Sequence, residues 1–131
     1  MSEGKNTDAG QPPATDSGAT AGGASLEQFA ALDVRVGTVV AARPHATARK
    51  PAYQLQIDFG PLGVKSSSAQ IAALYTPETL IGRQVIAVVN LPPRKVAGFV
   101  SEVLVLGALT GEGAVVLLAP ERRVADGDRI A

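Results

Sequence analysis

Tyr53, Leu55, Ile57 and Phe59 alternate with Gln54, Gln56 and Asp58, a period-two pattern that predicts a strand with one buried and one wet face. Before it, residues 34–42 are rich in β-branched side chains, and Gly37 marks a bulge or a tight bend. After it, a Gly-Pro-Leu-Gly turn at 60–63 leads into a short strand over 64–68. Residues 69–80 read as irregular with a short helix around 70–74, closed by Gly82. The continuous apolar run 85–89 predicts a central strand. Residues 103–109 and 114–118 form a hairpin about Thr110-Gly-Glu-Gly113, and the polar C-terminus turns at Asp126-Gly127. Upstream of all this, Ser25 and Gln28 have capping-box spacing, and Leu26, Phe29 and Ala30 share one face of a short helix.

The order is helix, strands, a short helical insert before the 84–90 strand, then a closing hairpin. This predicts an all-β chain, an OB-fold built as a five-stranded Greek-key barrel with short flanking helices. The domain occupies residues 25–131. Residues 1–24 hold Gly, Ala, Ser, Thr, Asp and Pro with no large apolar side chain after Met1, too little to offset ordering entropy, so a disordered tail is expected there.

Between the last two elements lies the stretch 90–107. Pro92-Pro93 lacks ladder donors and ends strand pairing, so Arg94 and Lys95 are expected on a stiff basic loop, followed by a Gly98-Phe99 step. A charged loop held by two strands is a common binding surface.

Composition narrows what could bind. The chain has no Cys and one His, His45, which removes thiolate chemistry, cysteine metal sites and histidine clusters. No nucleophile elbow, phosphate-cradling loop or dinucleotide fingerprint is present, so no catalytic residue, metal or cofactor is expected. No apolar run suits membrane insertion and no signal pattern opens the chain, so a cytoplasmic protein is expected. Net charge is zero, with 12 basic and 12 acidic side chains. Residues 1–25 carry Lys5 against Glu3, Asp8 and Asp16, a net of −2, which leaves the remainder at +2.

Two sets of candidate residues follow. Arg35, Arg43, Arg49, Lys50, Lys65, Arg94 and Lys95 could track a phosphate backbone, although scattered surface cations also simply maintain solubility. Base stacking would need aromatics, and the alternation sends Tyr53 and Phe59 to the core. An extended polypeptide would instead need an apolar groove with a few polar groups. Leu91, Phe99, Val103 and Leu104 supply apolar surface, while Gln70, Asn90, Ser101, Glu102 and the serines 66–68 supply donors and acceptors. For Asn90 and Ser101, ligand contact and local strand-end bonding are both open.

Asp33-Val-Arg-Val-Gly-Thr-Val39, Asp58-Phe-Gly60, Ser67-Ser-Ala-Gln-Ile71, Asn90-Leu-Pro-Pro-Arg94 and Gly98-Phe-Val-Ser-Glu-Val-Leu-Val-Leu-Gly107 recur in a familiar order. Over about residues 26–131 the set resembles the CsaA group of the tRNA-binding-domain family, which includes the C-terminal appendage of bacterial methionyl-tRNA synthetases. The resemblance implies an OB-fold homodimer, with the N-terminal helix and the C-terminal strands at the interface. It also implies a chaperone-like factor for preprotein export, with unfolded polypeptide and the export machinery as partners. The alternative is a tRNA-binding or RNA-binding module. tRNA-binding relatives carry Ser-Gln-Gly-Met where this chain has Ser101-Glu-Val-Leu104, and only Ser101 matches. Glu102 adds a negative charge there, and a carboxylate ~4 Å from a phosphate is repelled by about 1 kcal/mol even in full water.

Overall fold

A computed structural model describes residues 22–45 and 51–131 of the chain. The tail expected over 1–24 therefore lies almost wholly outside the described residues. Two units are distinguished, one ending at Ala31 and the other running from Leu32 to Ala131. In the first, α1 spans Leu26–Ala30, and the expected capping box is present. Ser25 Oγ accepts from Gln28 N at 3.1 Å while Gln28 Oε1 accepts from Ser25 N at 2.8 Å.

The second unit is an OB-like barrel. Its strands are β1 (Val34–Pro44), β2 (Tyr53–Asp58), β3 (Val64–Ala69), β4 (Gln84–Val88), β5 (Arg94–Val96), β6 (Phe99–Ser101), β7 (Leu104–Val105), β8 (Gly107–Leu109) and β9 (Val115–Leu117). Five of them form one antiparallel sheet in the order β3-β2-β1-β4-β7, and β5–β6 and β8–β9 are separate hairpins. The period-two pattern reads directly onto β2, where Tyr53, Leu55, Ile57 and the following Phe59 are buried. Each such side chain contributes about 1.5–3 kcal/mol through burial. Val39, Ile71, Leu80, Val85 and Val103 complete the aliphatic core.

Gly37 has a different role from the one expected of it. The register shift in β1 falls between Val39 and Ala41. A Cβ on Gly37 would sit 2.7 Å from both Ile57 Cγ2 and Phe59 Cδ1, so glycine is required there by the close approach of β2.

Two further expectations are corrected. The short helix lies at Pro77–Leu80 (α2), not around 70–74. Thr76 caps it through Thr79 N, and Pro77 occupies a first-turn position where its missing N–H costs nothing. Arg94 and Lys95 do not sit in a loop. Strand pairing resumes immediately after Pro92-Pro93, because Ala97 (φ 48°) and Gly98 (φ 84°) form a two-residue turn of the primed kind that folds β5 back onto β6.

The polar C-terminus is also more than a tail end. Residues 127–130 run along β1, with Gly127 N donating to Val36 O at 2.7 Å, Val36 N to Asp128 O at 2.9 Å and Ile130 N to Val34 O at 2.8 Å.

Candidate binding groove

The barrel closes along one seam, between β3 and the β6–β7 segment, and that seam is made by side chains. On the edge of β3 away from β2, Ser66 O accepts from Glu102 N at 2.8 Å and from Val103 N at 3.2 Å. Ser66 N donates to Glu102 Oε1 at 2.8 Å, and Ser68 N donates to Ser101 Oγ at 3.0 Å. Ser67 Oγ, fully buried, donates to Val103 O at 2.9 Å, and Ser66 Oγ to Val100 O at 2.7 Å. Backbone groups at a sheet edge need partners. Here a hydroxyl and a carboxylate stand in for ladder acceptors because β6 and β7 are too short to pair β3 along its length. The Ser66-Ser-Ser68 run and the Ser101-Glu102 pair are thus two halves of one closure.

Above this seam lies a depression of about 470 Å³ lined by Leu91, Pro92, Val103 and Leu104, with Ser68, Arg94, Ser101 and Glu102. A second depression of about 340 Å³ shares Ser68, Arg94 and Leu104 with the first and continues over Gln70, Ile71, Leu106, Leu109 and Val115. Three shared residues make this one groove with two pockets, of the size that ligand sites occupy. Pro92-Pro93 holds Leu91 and Arg94 on its rim, since two fixed φ angles leave little freedom between β4 and β5.

The candidates for polypeptide binding mostly converge. Leu91, Ser101, Glu102, Val103 and Leu104 line the larger pocket and Gln70 the smaller. In the larger pocket the polar candidates are engaged internally, Ser101 with Ser68 N and Glu102 with Ser66 N, so its open surface is chiefly aliphatic. Asn90 stands outside it, its Oδ1 accepting from Asp33 N at 2.8 Å across the ends of β1 and β4. Phe99 is half-buried, its ring edge-on to His45 with centroids 5.6 Å apart. His45, from which nothing was expected, is itself buried. Its Nδ1 lies 3.3 Å from Ser68 Oγ and its Nε2 3.4 Å from Ala97 O, so it ties the end of β1 to the β5–β6 turn. A carbonyl only accepts, so Nε2 carries the hydrogen.

The cationic candidates scatter. Arg94 lies in both pockets, whereas Lys95, the next residue of β5, points to the other side of the hairpin. Arg35 is occupied: Nε donates to Asp33 Oδ1 at 2.6 Å, Nη2 to Asp33 Oδ2 at 3.4 Å and Nη1 to Gly127 O at 3.0 Å. Arg43 is bonded through Nε to Gln54 Oε1 at 2.9 Å. Lys65 sits on β3 opposite Ile57. Arg49 and Lys50 lie outside the described residues. Of the aromatics in the barrel, Tyr53 and Phe59 are buried, and half-buried Tyr75 bonds Leu117 N through its hydroxyl while Arg83 covers its ring at 5.3 Å.

Missed from sequence were Pro92 and the second pocket, Ile71, Leu106, Leu109 and Val115. Leu109, 81% exposed on a hairpin, was the available signal, since the alternation of a closing strand leaves every second side chain outside.

A family model described as "Putative tRNA binding domain" matches residues 34–129. Methionine–tRNA ligase of Porphyromonas gingivalis is 39% identical over 106 residues, 81% of this chain but 15% of that enzyme. The chain thus spans about one-seventh of the length of the ligases it matches. Among solved structures, chaperone CsaA from Bacillus anthracis aligns with a TM-score of 0.79 and 55% identity, covering 82% of this chain and 98% of that one. CsaA chaperone protein from Picrophilus torridus gives 0.77 and 47%, covering 82% and 99%.

Proposed function

The chain belongs to the tRNA-binding-domain family, and on that premise we propose that it is a non-catalytic, CsaA-like chaperone that binds unfolded or export-destined polypeptide. The observation that carries this is the aliphatic groove beside β5–β7, in which Leu91, Pro92, Val103 and Leu104 form the walls. Its likeness along nearly the full length of two solved CsaA chaperones supports the same choice. Glu102 takes part by holding the groove's floor to β3.

The working form in this proposal is a cytoplasmic homodimer that hands preproteins to the export machinery. Val116 and Leu118 on and beside the β8–β9 hairpin are exposed and apolar, as a subunit interface requires. Two grooves on one long unfolded chain would gain affinity through effective concentration. Solution mass of the chain with and without residues 25–32 tests the contribution of α1. Dissociation on deletion is expected, and an unchanged dimer removes that helix from the interface.

RNA binding is the second reading, favoured by the family and by the exposed Arg94. A competition between a reduced, alkylated unfolded protein and tRNA, run at low and at physiological salt, separates the two. Polypeptide binding that saturates, changes little with salt and resists tRNA supports the chaperone. Saturable tRNA binding that falls steeply with salt, with no polypeptide binding by the folded protein, overturns it.

A further inference from the structure

The groove's charges are unequal in availability. Glu102 is half-buried, and its Oε1 accepts from Ser66 N at 2.8 Å and lies 3.0 Å from Ser66 Oγ. Arg94 is exposed, lines both pockets, and its guanidinium has neither an ion pair nor a hydrogen bond among the described residues. Among the described residues, no acidic side chain lines the smaller pocket. An extended chain lying along the groove therefore meets apolar wall, then a cation with no partner among the described residues, then apolar wall again: Leu91 and Pro92 on one side, Leu109 and Val115 on the other.

Resting on the groove assigned above, we propose that Arg94 is a specificity-determining residue, and that the preferred segment carries an Asp or Glu side chain flanked on both sides by large apolar residues. A guanidinium forks onto a carboxylate in two parallel bonds, and low-dielectric walls on either side strengthen that contact. A basic residue at the same place would bring two like charges together inside the groove, so Arg94 rejects as well as selects. The position of Arg94 at the junction of the pockets, not at an outer end, is what places the acid between apolar neighbours.

The test uses the full chain and four fluorescent nonapeptides of leucine and serine. Three have acetyl and amide ends and a central Glu, Gln or Lys; the fourth has a central Gln and a free C-terminal carboxylate. Anisotropy titrations should rank Glu above Gln by roughly tenfold, the size of a charged hydrogen bond, with Lys weaker still. Arg94→Glu should reverse the order, and Arg94→Gln should flatten it. Leu104→Ser should weaken all peptides together. Equal binding of the three blocked peptides, with the Leu104→Ser loss intact, overturns the acidic preference and leaves the groove standing. The free-carboxylate peptide matching the Glu peptide overturns it in favour of a chain terminus. No saturable binding of any peptide to the folded protein removes both the preference and the groove.

Discussion

At the crossing of residues 124–130 over β1, Thr38 Oγ1 donates to Asp126 Oδ1 at 2.6 Å and Gln84 Nε2 to Val124 O at 2.7 Å. Gln84 Oε1 accepts from Val124 N at 3.1 Å, and Arg35 holds Asp33 and Gly127 together. Polar side chains there bind the chain to itself. At the groove the seam serines and Glu102 do the same from below, yet the surface they support is aliphatic and Arg94 has no partner among the described residues. The difference lies in the backbone. The C-terminal segment pairs with the β1 backbone only from Gly127 on, and the side chains of Thr38 and Gln84 hold residues 124–126, where that pairing is absent. The β5–β6 hairpin satisfies its own ladder without the Arg94 guanidinium.

Removing Asp126 should have the largest effect. Asp126→Ala strips the acceptor from buried Thr38 and takes one partner from buried Gln84, and a buried polar group without a partner costs about 1–3 kcal/mol. A loss of about 2–4 kcal/mol in urea unfolding is expected. Polypeptide affinity should be unchanged in the fraction that remains folded. A loss under about 0.5 kcal/mol, the level of an ordinary surface change, would mean that the crossing is not held as described.

Glu102 sharpens the comparison because it belongs to both regions' logic. As a structural acceptor it should cost about 1–3 kcal/mol when truncated in Glu102→Ala, with Ser66 N left unpaired. Glu102→Gln keeps an amide oxygen in reach and should recover most of that stability despite losing the charge. If both variants lose equally, the charge and not the acceptor is what matters, and the seam is electrostatic.

These regions also divide what could be read from the sequence. The alternation 53–59, the apolar run at 85–89 and the Ser25 cap are local signals, and each appeared as an element within a residue or two of its expected place. The OB-like order followed from them. The β5–β6 hairpin escaped because its turn is Ala97-Gly98, where a non-glycine residue takes a positive φ that no propensity favours. The α2 position escaped because the Thr76-Pro77 start signal lay inside a stretch read as irregular. At the groove, the apolar candidates Leu91 and Leu104 are exposed and line the larger depression, a placement that exposure alone decides. Asn90 and Arg35 are engaged by partners 57 and 92 positions away, and long-range pairing of this kind leaves no local trace.

The two arginines give the smallest effect and the most direct contrast. Arg35→Met keeps the apolar stem but leaves half-buried Asp33 with only Arg129, whose Nε is 3.9 Å away. Hydrogen bonds to charged groups are worth about 1.5–3 kcal/mol, and a loss near the lower end is expected because both partners are about a quarter exposed. Arg94→Met should change stability by no more than about 0.5 kcal/mol, since nothing among the described residues bonds its guanidinium. For ligand binding the order reverses: Arg94→Met should weaken charged ligands, whether acidic peptide or tRNA, and Arg35→Met should leave them alone. Measured side by side by urea unfolding and by titration, a shared response would erase the distinction between the crossing and the groove. A crossed response would locate the ligand surface from two single substitutions of the same residue type.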